Sequence, residues 1–192
     1  MHSIIFGGLL EDLGGDPSAV SIRRSSGAHK IATFLRQNDY DVEVLDYIHR
    51  WSLPQLQEFT QKRVSNELLF FGFSSTFAIS TPVVIEFVHW LKETYPNIPI
   101  VCGSQNETMK ELPVDWYIYG YGEYAILALM DHFAGGPEPH HNDRLIDAYT
   151  DYRAYPKSDL SVHYEARDYI AEREILLLEM ARGCKFKCSF CS

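Results

Sequence analysis

Short runs of β-branched and aromatic residues alternate along this chain with stretches of helical period. That alternation restricts it to architectures in which helices cross over between parallel strands. Ser3–Phe6, Asp41–Leu45, Leu68–Phe73, Ile98–Cys102 and Asp115–Tyr119 read as five strands. Each is short and largely apolar, as strands covered on both faces are. Between them, Ser26–Asn38 carries Ile31, Ala32, Phe34 and Leu35 at helical spacing, and Pro82–Thr94 carries Val83, Ile85, Phe87, Val88, Trp90 and Leu91. Thr81 is placed to cap the latter, with Pro82 in its first turn. Leu53–Arg63 is a less regular helix, and Glu123–Ala134 is a strong one that stops at Gly135-Gly136-Pro137. The expected fold is α/β, a flavodoxin/Rossmann-like five-stranded parallel sheet of order 2-1-3-4-5 flanked by helices.

The chain of 192 residues is long enough for one well-buried domain and the start of another. Residues 1–136 form the expected sheet domain. Residues 137–173 form a linker, because from Gly135 to about Tyr155 periodicity gives way to Gly, Pro, His, Asn and Asp. Residues 174–192 begin a further unit, in which the strand candidate Ile175–Met180 runs into a cysteine loop. The formal net charge is −9 and the 17 basic residues are scattered, which argues against nucleic acid as the primary partner. Apolar runs such as Leu68–Phe73 fall far short of the roughly 20 residues needed to span a bilayer. No basic region precedes the first apolar stretch, so the expectation is a cytoplasmic protein with no membrane partner.

Three of the four cysteines, Cys184, Cys188 and Cys191, crowd into one C-x3-C-x2-C segment. This is a poor disulfide framework and a good metal loop for a reducing compartment. Such spacings let a tight loop turn its thiolates toward one iron–sulfur cluster. Three ligands leave one iron of a cubane open, much as catalytic metal sites keep an open position. Zinc is the competing reading. Structural zinc normally takes four protein ligands, so His163 or Cys102 would have to fold back to complete the set. Cys102, at the end of a buried strand, reads instead as a small core residue.

At the carboxyl ends of the strands stand Gly7-Gly8, Ser74-Ser75-Thr76, Gly103-Ser104 and Gly120-Tyr121-Gly122-Glu123. Small and hydroxyl residues there permit close backbone approach to a ligand, although glycines also end strands for conformational reasons alone. Asp46 could imitate a ribose-binding acid but reads as a strand terminator, His29 could face the ligand cleft but reads as an exposed first-turn residue, and His140-His141 reads as solvated surface. The first turn lacks the G-x-G-x-x-G of a dinucleotide site. The first strand also offers no acidic pair for magnesium, which counts against a response-regulator-like or flavin-binding domain.

With Phe190 in place, Cys184-Lys185-Phe186-Lys187-Cys188-Ser189-Phe190-Cys191 resembles the C-x3-C-x-aromatic-C motif of the radical S-adenosylmethionine (SAM) superfamily. The resemblance implies a [4Fe–4S] cluster held by Cys184, Cys188 and Cys191, with SAM chelating the fourth iron and Phe190 in the cofactor site. Reductive cleavage of SAM to a 5′-deoxyadenosyl radical is the implied chemistry, for methyl transfer or another radical reaction.

Upstream, Gly27-Ala28-His29-Lys30-Ile31-Ala32 with Leu35-Arg36, Asp41-Val42-Glu43-Val44-Leu45-Asp46, Phe73-Ser74-Ser75 and Gly120-Tyr121-Gly122-Glu123 are similar to the amino-terminal domain of cobalamin-binding members. The resemblance implies that cobalamin binds at Gly7, Gly8, Ser74, Ser75, Thr76, Gly103, Ser104, Gly120, Gly122 and Glu123. The D-x-H-x-x-G signature is absent from the first loop, so cobalamin would bind without that histidine ligand.

A complete barrel of the radical SAM kind takes about 250 residues, and a single residue follows Cys191. The expectation is the first barrel strand and its cluster loop, inactive alone, either truncated or completed by a separate polypeptide bearing the barrel. The alternative is a stand-alone module that binds cobalamin or another small ligand without catalysis.

Overall fold

A computed structural model describes residues 2–7, 24–74, 81–104, 112–155 and 161–168. In chain order these give β1 (His2–Gly7), α1 (Ser26–Arg36), β2 (Asp41–Leu45), α2 (Leu53–Gln61), β3 (Leu68–Ser74), α3 (Pro82–Thr94), β4 (Ile100–Ser104), β5 (Trp116–Tyr119), α4 (Glu123–Phe133), β6 (Leu145–Asp147) and α5 (Ala148–Asp151). Single 3-10 turns occupy Ile48–Arg50 and Ala166–Asp168. The described strands form one sheet of order β2-β1-β3-β4-β5-β6, parallel at every pairing.

The expected α/β sheet is present, but its strand count and order differ from the expectation because a sixth strand extends it beyond β5. Tyr117, Ile118 and Tyr119 of β5 pair with Leu145, Ile146 and Asp147. That strand falls inside the stretch read as linker. It is three residues long, Ile146 alone of them is buried, and two consecutive left-handed residues, Asp143 and Arg144, precede it. No run of apolar residues marks it. Its last residue, Asp147, then caps α5 by accepting from the Tyr149 and Thr150 amides.

Alternation along the strands divides the core in two. Ile4, Phe6, Phe71, Phe73, Ile100 and Cys102 face α2 and α3, where Leu56, Phe87 and Leu91 meet them. Ile5, Val42, Val44, Phe70, Val101 and Ile118 face α1 and α4, where Ala28, Ala32, Leu35, Ile126 and Leu129 meet them. Phe6, Phe73 and Phe87 form an aromatic knot, with ring centroids 5.0 Å apart for Phe6–Phe87 and 5.1 Å for Phe6–Phe73. Cys102 is fully buried in this packing. Burial, with Cys102 beside it, pushes the Tyr117 phenol up to about 12.

Helix ends follow local chemistry. Thr81 and Pro82 open α3 as expected, the Thr81 carbonyl accepting from the Val84 and Ile85 amides. Gly135 takes φ of +95° behind α4, the left-handed conformation that glycine adopts without a Cβ clash. Among the described residues, no helix is long and apolar enough to cross a membrane.

Candidate functional site

Parallel strands all end on one side of a sheet and the helices restart there, so this edge is where such folds leave a crevice. Here the carboxyl ends of β1, β3, β4 and β5 meet the first turns of α1 and α4 around a cavity of about 220 Å³. Ile5, Phe70, Val101, Ile118 and Ile126 give it an apolar floor, and Ser26, Gly27, Ser74, Gly103, Gly120, Gly122 and Glu123 line its rim.

The glycines divide by cause. A Cβ on Gly72 would lie 3.0 Å from the Phe70 ring and 3.1 Å from Ile5, so that glycine serves packing. Gly120 has φ of +99°, and a Cβ there would strike the Tyr149 ring at 2.7 Å. Gly103 differs. Among the described residues, a Cβ there would meet nothing nearer than the Phe73 carbonyl oxygen at 3.9 Å, so it would project into the cavity without clash.

Two charged side chains also belong to this lining. Lys30 is 6% exposed and Glu123 is 3% exposed. Residues of these types are almost never so buried unless they are engaged. The Lys30 ammonium donates to the Ser161 carbonyl at 3.1 Å. Glu123 sits in the first turn of α4, where the helix dipole favours a negative charge. At the rim, the Ser25 hydroxyl donates to the Ser74 hydroxyl at 3.0 Å, tying β3 to the cap of α1.

The structure therefore brings together Ser74, Gly103, Gly120, Gly122 and Glu123 of the residues expected to hold a cofactor. Gly7 is not among them. It ends β1 but packs against the Asp46 carboxylate and Ser25, where a Cβ would lie 2.8 Å and 2.9 Å from their atoms, and it is not part of the cavity wall. Ser104 is the last residue of β4. Gly8, Ser75, Thr76, Phe190, Cys184, Cys188 and Cys191 lie outside the described residues.

The exposed reading of His29 is corrected. It is completely buried, with Nε2 2.6 Å from the Asp46 carboxylate, and the cavity wall is formed by its neighbours Ala28 and Lys30. Asp46 also accepts from Arg24 at 2.9 Å and from the Ser25 amide at 3.1 Å, so its oxygens are committed to the fold. His140 bonds Asp151, while His141 stands edge-on to Trp116 and accepts from the Arg144 amide. Among the described residues, no three His, Cys, Asp or Glu side chains cluster as a metal site.

Lys30 and the Arg24–Asp46–His29 network are the polar features that sequence reasoning passed over. A lysine inside an apolar helical stretch was the available signal for the first. The second joins residues from two separate elements and had no local signal. A further cavity of about 350 Å³ lies beyond β2 among Asp46, Tyr47, Trp51, Phe59 and Arg63. Its ionic groups are paired, Arg24 with Asp46 and Arg63 with Glu43, so the carboxyl-edge cavity is the stronger candidate.

No protein-family model and no curated protein matches the chain. Among solved structures, that of the RcsB response regulator from Salmonella typhimurium is similar at 13% identity and a TM-score of 0.45, covering 84% of this chain and 71% of that one.

Proposed function

We propose that this chain is the amino-terminal part of a cobalamin-binding-type radical SAM enzyme. In this reading the sheet domain holds a flat cofactor at its carboxyl edge, and the terminal cysteines hold a [4Fe–4S] cluster. The carrying observation is the spacing of Cys184, Cys188 and Cys191 with Phe190 between the last two. The donor set suits an iron–sulfur cluster better than structural zinc, because the fourth cysteine, Cys102, is fully buried in the sheet core. When bound, such a cluster supplies the electron that cleaves a carbon–sulfur bond of SAM.

The cavity supports the cobalamin part of the reading. Its 220 Å³ is smaller than the roughly 300–1,000 Å³ typical of sites that enclose a whole drug-sized ligand. It suits one flat ring of a larger cofactor, with the rest lying over the strand ends. Ser74, Gly103, Gly122 and Glu123 would hold that ring, and the apolar floor would exclude water from it. His29 is spent on Asp46, in keeping with binding that uses no histidine ligand from this helix. Further barrel strands, in a continuation of this chain or in a separate polypeptide, would complete the proposed enzyme, and the cytoplasm is the proposed compartment.

Two measurements test this. Anaerobic reconstitution with iron and sulfide should give a cluster that Cys184→Ala, Cys188→Ala or Cys191→Ala abolishes, and uptake of zinc instead would sink the radical SAM reading. Titration with hydroxocobalamin should give a stoichiometric coloured complex. Cobalamin uptake without any cluster would favour the stand-alone binding module, which the cavity alone would serve.

A further inference from the structure

We propose that Ser161–Asp168 is a latched wall of the carboxyl-edge cavity, so that access to the cavity depends on whether this strap is fastened to α1. The proposal deepens the reading above, since it takes that cavity to be the ligand site.

The segment lies in the stretch read as linker, yet it is fastened along α1. His29, Thr33 and Arg36 follow i, i+4, i+7 spacing and so form one stripe of that helix. Each has a partner in the strap. The Tyr164 ring lies 4.7 Å from the His29 ring. The Thr33 hydroxyl accepts from the His163 amide at 2.9 Å. The Arg36 guanidinium donates to both oxygens of Asp168, at 3.0 and 2.8 Å. Arg24 adds a bond to the Asp168 carbonyl, and Lys30 holds the Ser161 carbonyl.

The consequence is visible in burial. Ala28, Ala32 and Leu35 pack into the sheet core, but His29 and Thr33 are also buried, at 0% and 2% exposure. A helix covered on the sheet side alone would leave such polar residues in water. The strap therefore completes the shell of α1.

The link to the cavity is direct. Val162 is part of its wall, and Lys30 both lines the cavity and grips the strap one residue before Val162. The Asp168 side chain is fully buried, and a buried carboxylate is tolerated only while its partners are in place. Cutting the Arg36 bond should release the strap, not merely loosen one contact, and open the Val162 side of the cavity.

The test uses the full chain and three variants, Arg36→Gln, Thr33→Val and Val162→Ser. In wild type the amides of His163, Glu165 and Asp168 should exchange slowly with deuterium. Arg36→Gln should speed them by about tenfold or more while β3 and β4 amides keep their protection, because the opening is local. Thr33→Val should act in the same direction at His163 and covers the case in which Arg36→Gln fails to fold.

The apolar dye 1-anilinonaphthalene-8-sulfonate should brighten with each released variant as Ile5, Val101 and Ile118 become reachable. Hydroxocobalamin should bind several-fold more weakly to all three variants. Unchanged strap exchange and unchanged dye binding in both latch variants overturn the proposal. Equal hydroxocobalamin binding by wild type and variants removes the wall role while leaving the ligand reading intact. Wild type that takes up no hydroxocobalamin, with exchange and dye results as expected, ends the cobalamin reading and leaves the latched wall standing.

Discussion

Gly7 and Gly103 are indistinguishable in sequence, each following an apolar run at a strand end, yet their neighbours give them opposite roles. At Gly7 an added Cβ would sit 2.8 Å from Asp46 Oδ1, on a carboxylate held by Arg24, His29 and the Ser25 amide, and 2.9 Å from Ser25 Cβ, which cannot rotate away. Gly7→Ala should therefore cost about 1–3 kcal/mol, the range for overpacking, and lower the melting temperature. At Gly103 the nearest described atom is 3.9 Å away, so Gly103→Ala should leave the melting temperature in place. It should nonetheless weaken hydroxocobalamin binding by filling the cavity. Thermal melts and titrations on the same two proteins check both outcomes, and a Gly103→Ala protein with undiminished affinity would remove that residue from the site. The Asp46 network has the same lesson. Its Arg24, His29 and Ser25 partners lie 17 to 22 positions away in sequence, so no pattern within one helix or strand announces it. Removing one partner of a buried ion pair typically costs about 3–5 kcal/mol. Asp46→Asn should fall near that range by urea denaturation, since its side chain is only 4% exposed.

At the scale of elements, what was legible is what carries its own periodicity. Pro82–Thr94 is the helix expected, with the same bounds, because its apolar spacing and the Thr81-Pro82 start signal act within one segment. β6 and the strap were illegible because tertiary partners create them. Leu145–Asp147 is a strand since β5 offers a free edge, and Ser161–Asp168 is ordered since α1 presents His29, Thr33 and Arg36. The strap should therefore respond to pH through Asp168. Burial pushes that carboxyl up, but the Arg36 hydrogen bonds, the Glu165 amide and the charges of Arg36 and His29 outweigh burial and hold it below its ordinary value. A carboxylate whose pKa is lower folded than unfolded contributes stability above its unfolded pKa, about 3.9, and loses it as pH falls through the folded value. Protection of the His163 amide, expressed relative to intrinsic exchange, should be constant near about pH 6 and decline below about pH 4. In Asp168→Asn that acid-dependent decline should be absent. Persistence of the decline in this variant would assign it to other groups.

For the whole molecule, the proposed reading assigns the cavity and the cluster to different residues of the chain. The described core that shapes the cavity is built from residues such as Ile4, Phe6, Phe71, Val101, Ile118 and Leu129, and its one cysteine is Cys102. Cys184, Cys188 and Cys191, which carry the proposed cluster, lie outside the described residues. This separation predicts a double dissociation. Cys184→Ser, Cys188→Ser and Cys191→Ser combined should abolish iron and sulfide uptake while the melting temperature of the sheet domain and the hydroxocobalamin affinity stay as in wild type. Cys102→Ser should do the reverse. Its side chain is fully buried in the sheet core, and replacing the sulfur by a more strongly hydrated hydroxyl should cost about 1–3 kcal/mol while iron uptake proceeds normally. Iron and sulfide content after anaerobic reconstitution, set beside thermal melts of the same samples, reads both arms. If Cys102→Ser also lost the cluster without unfolding, the fourth cysteine would be a ligand. The open iron position from which the radical SAM reading is argued would then be filled.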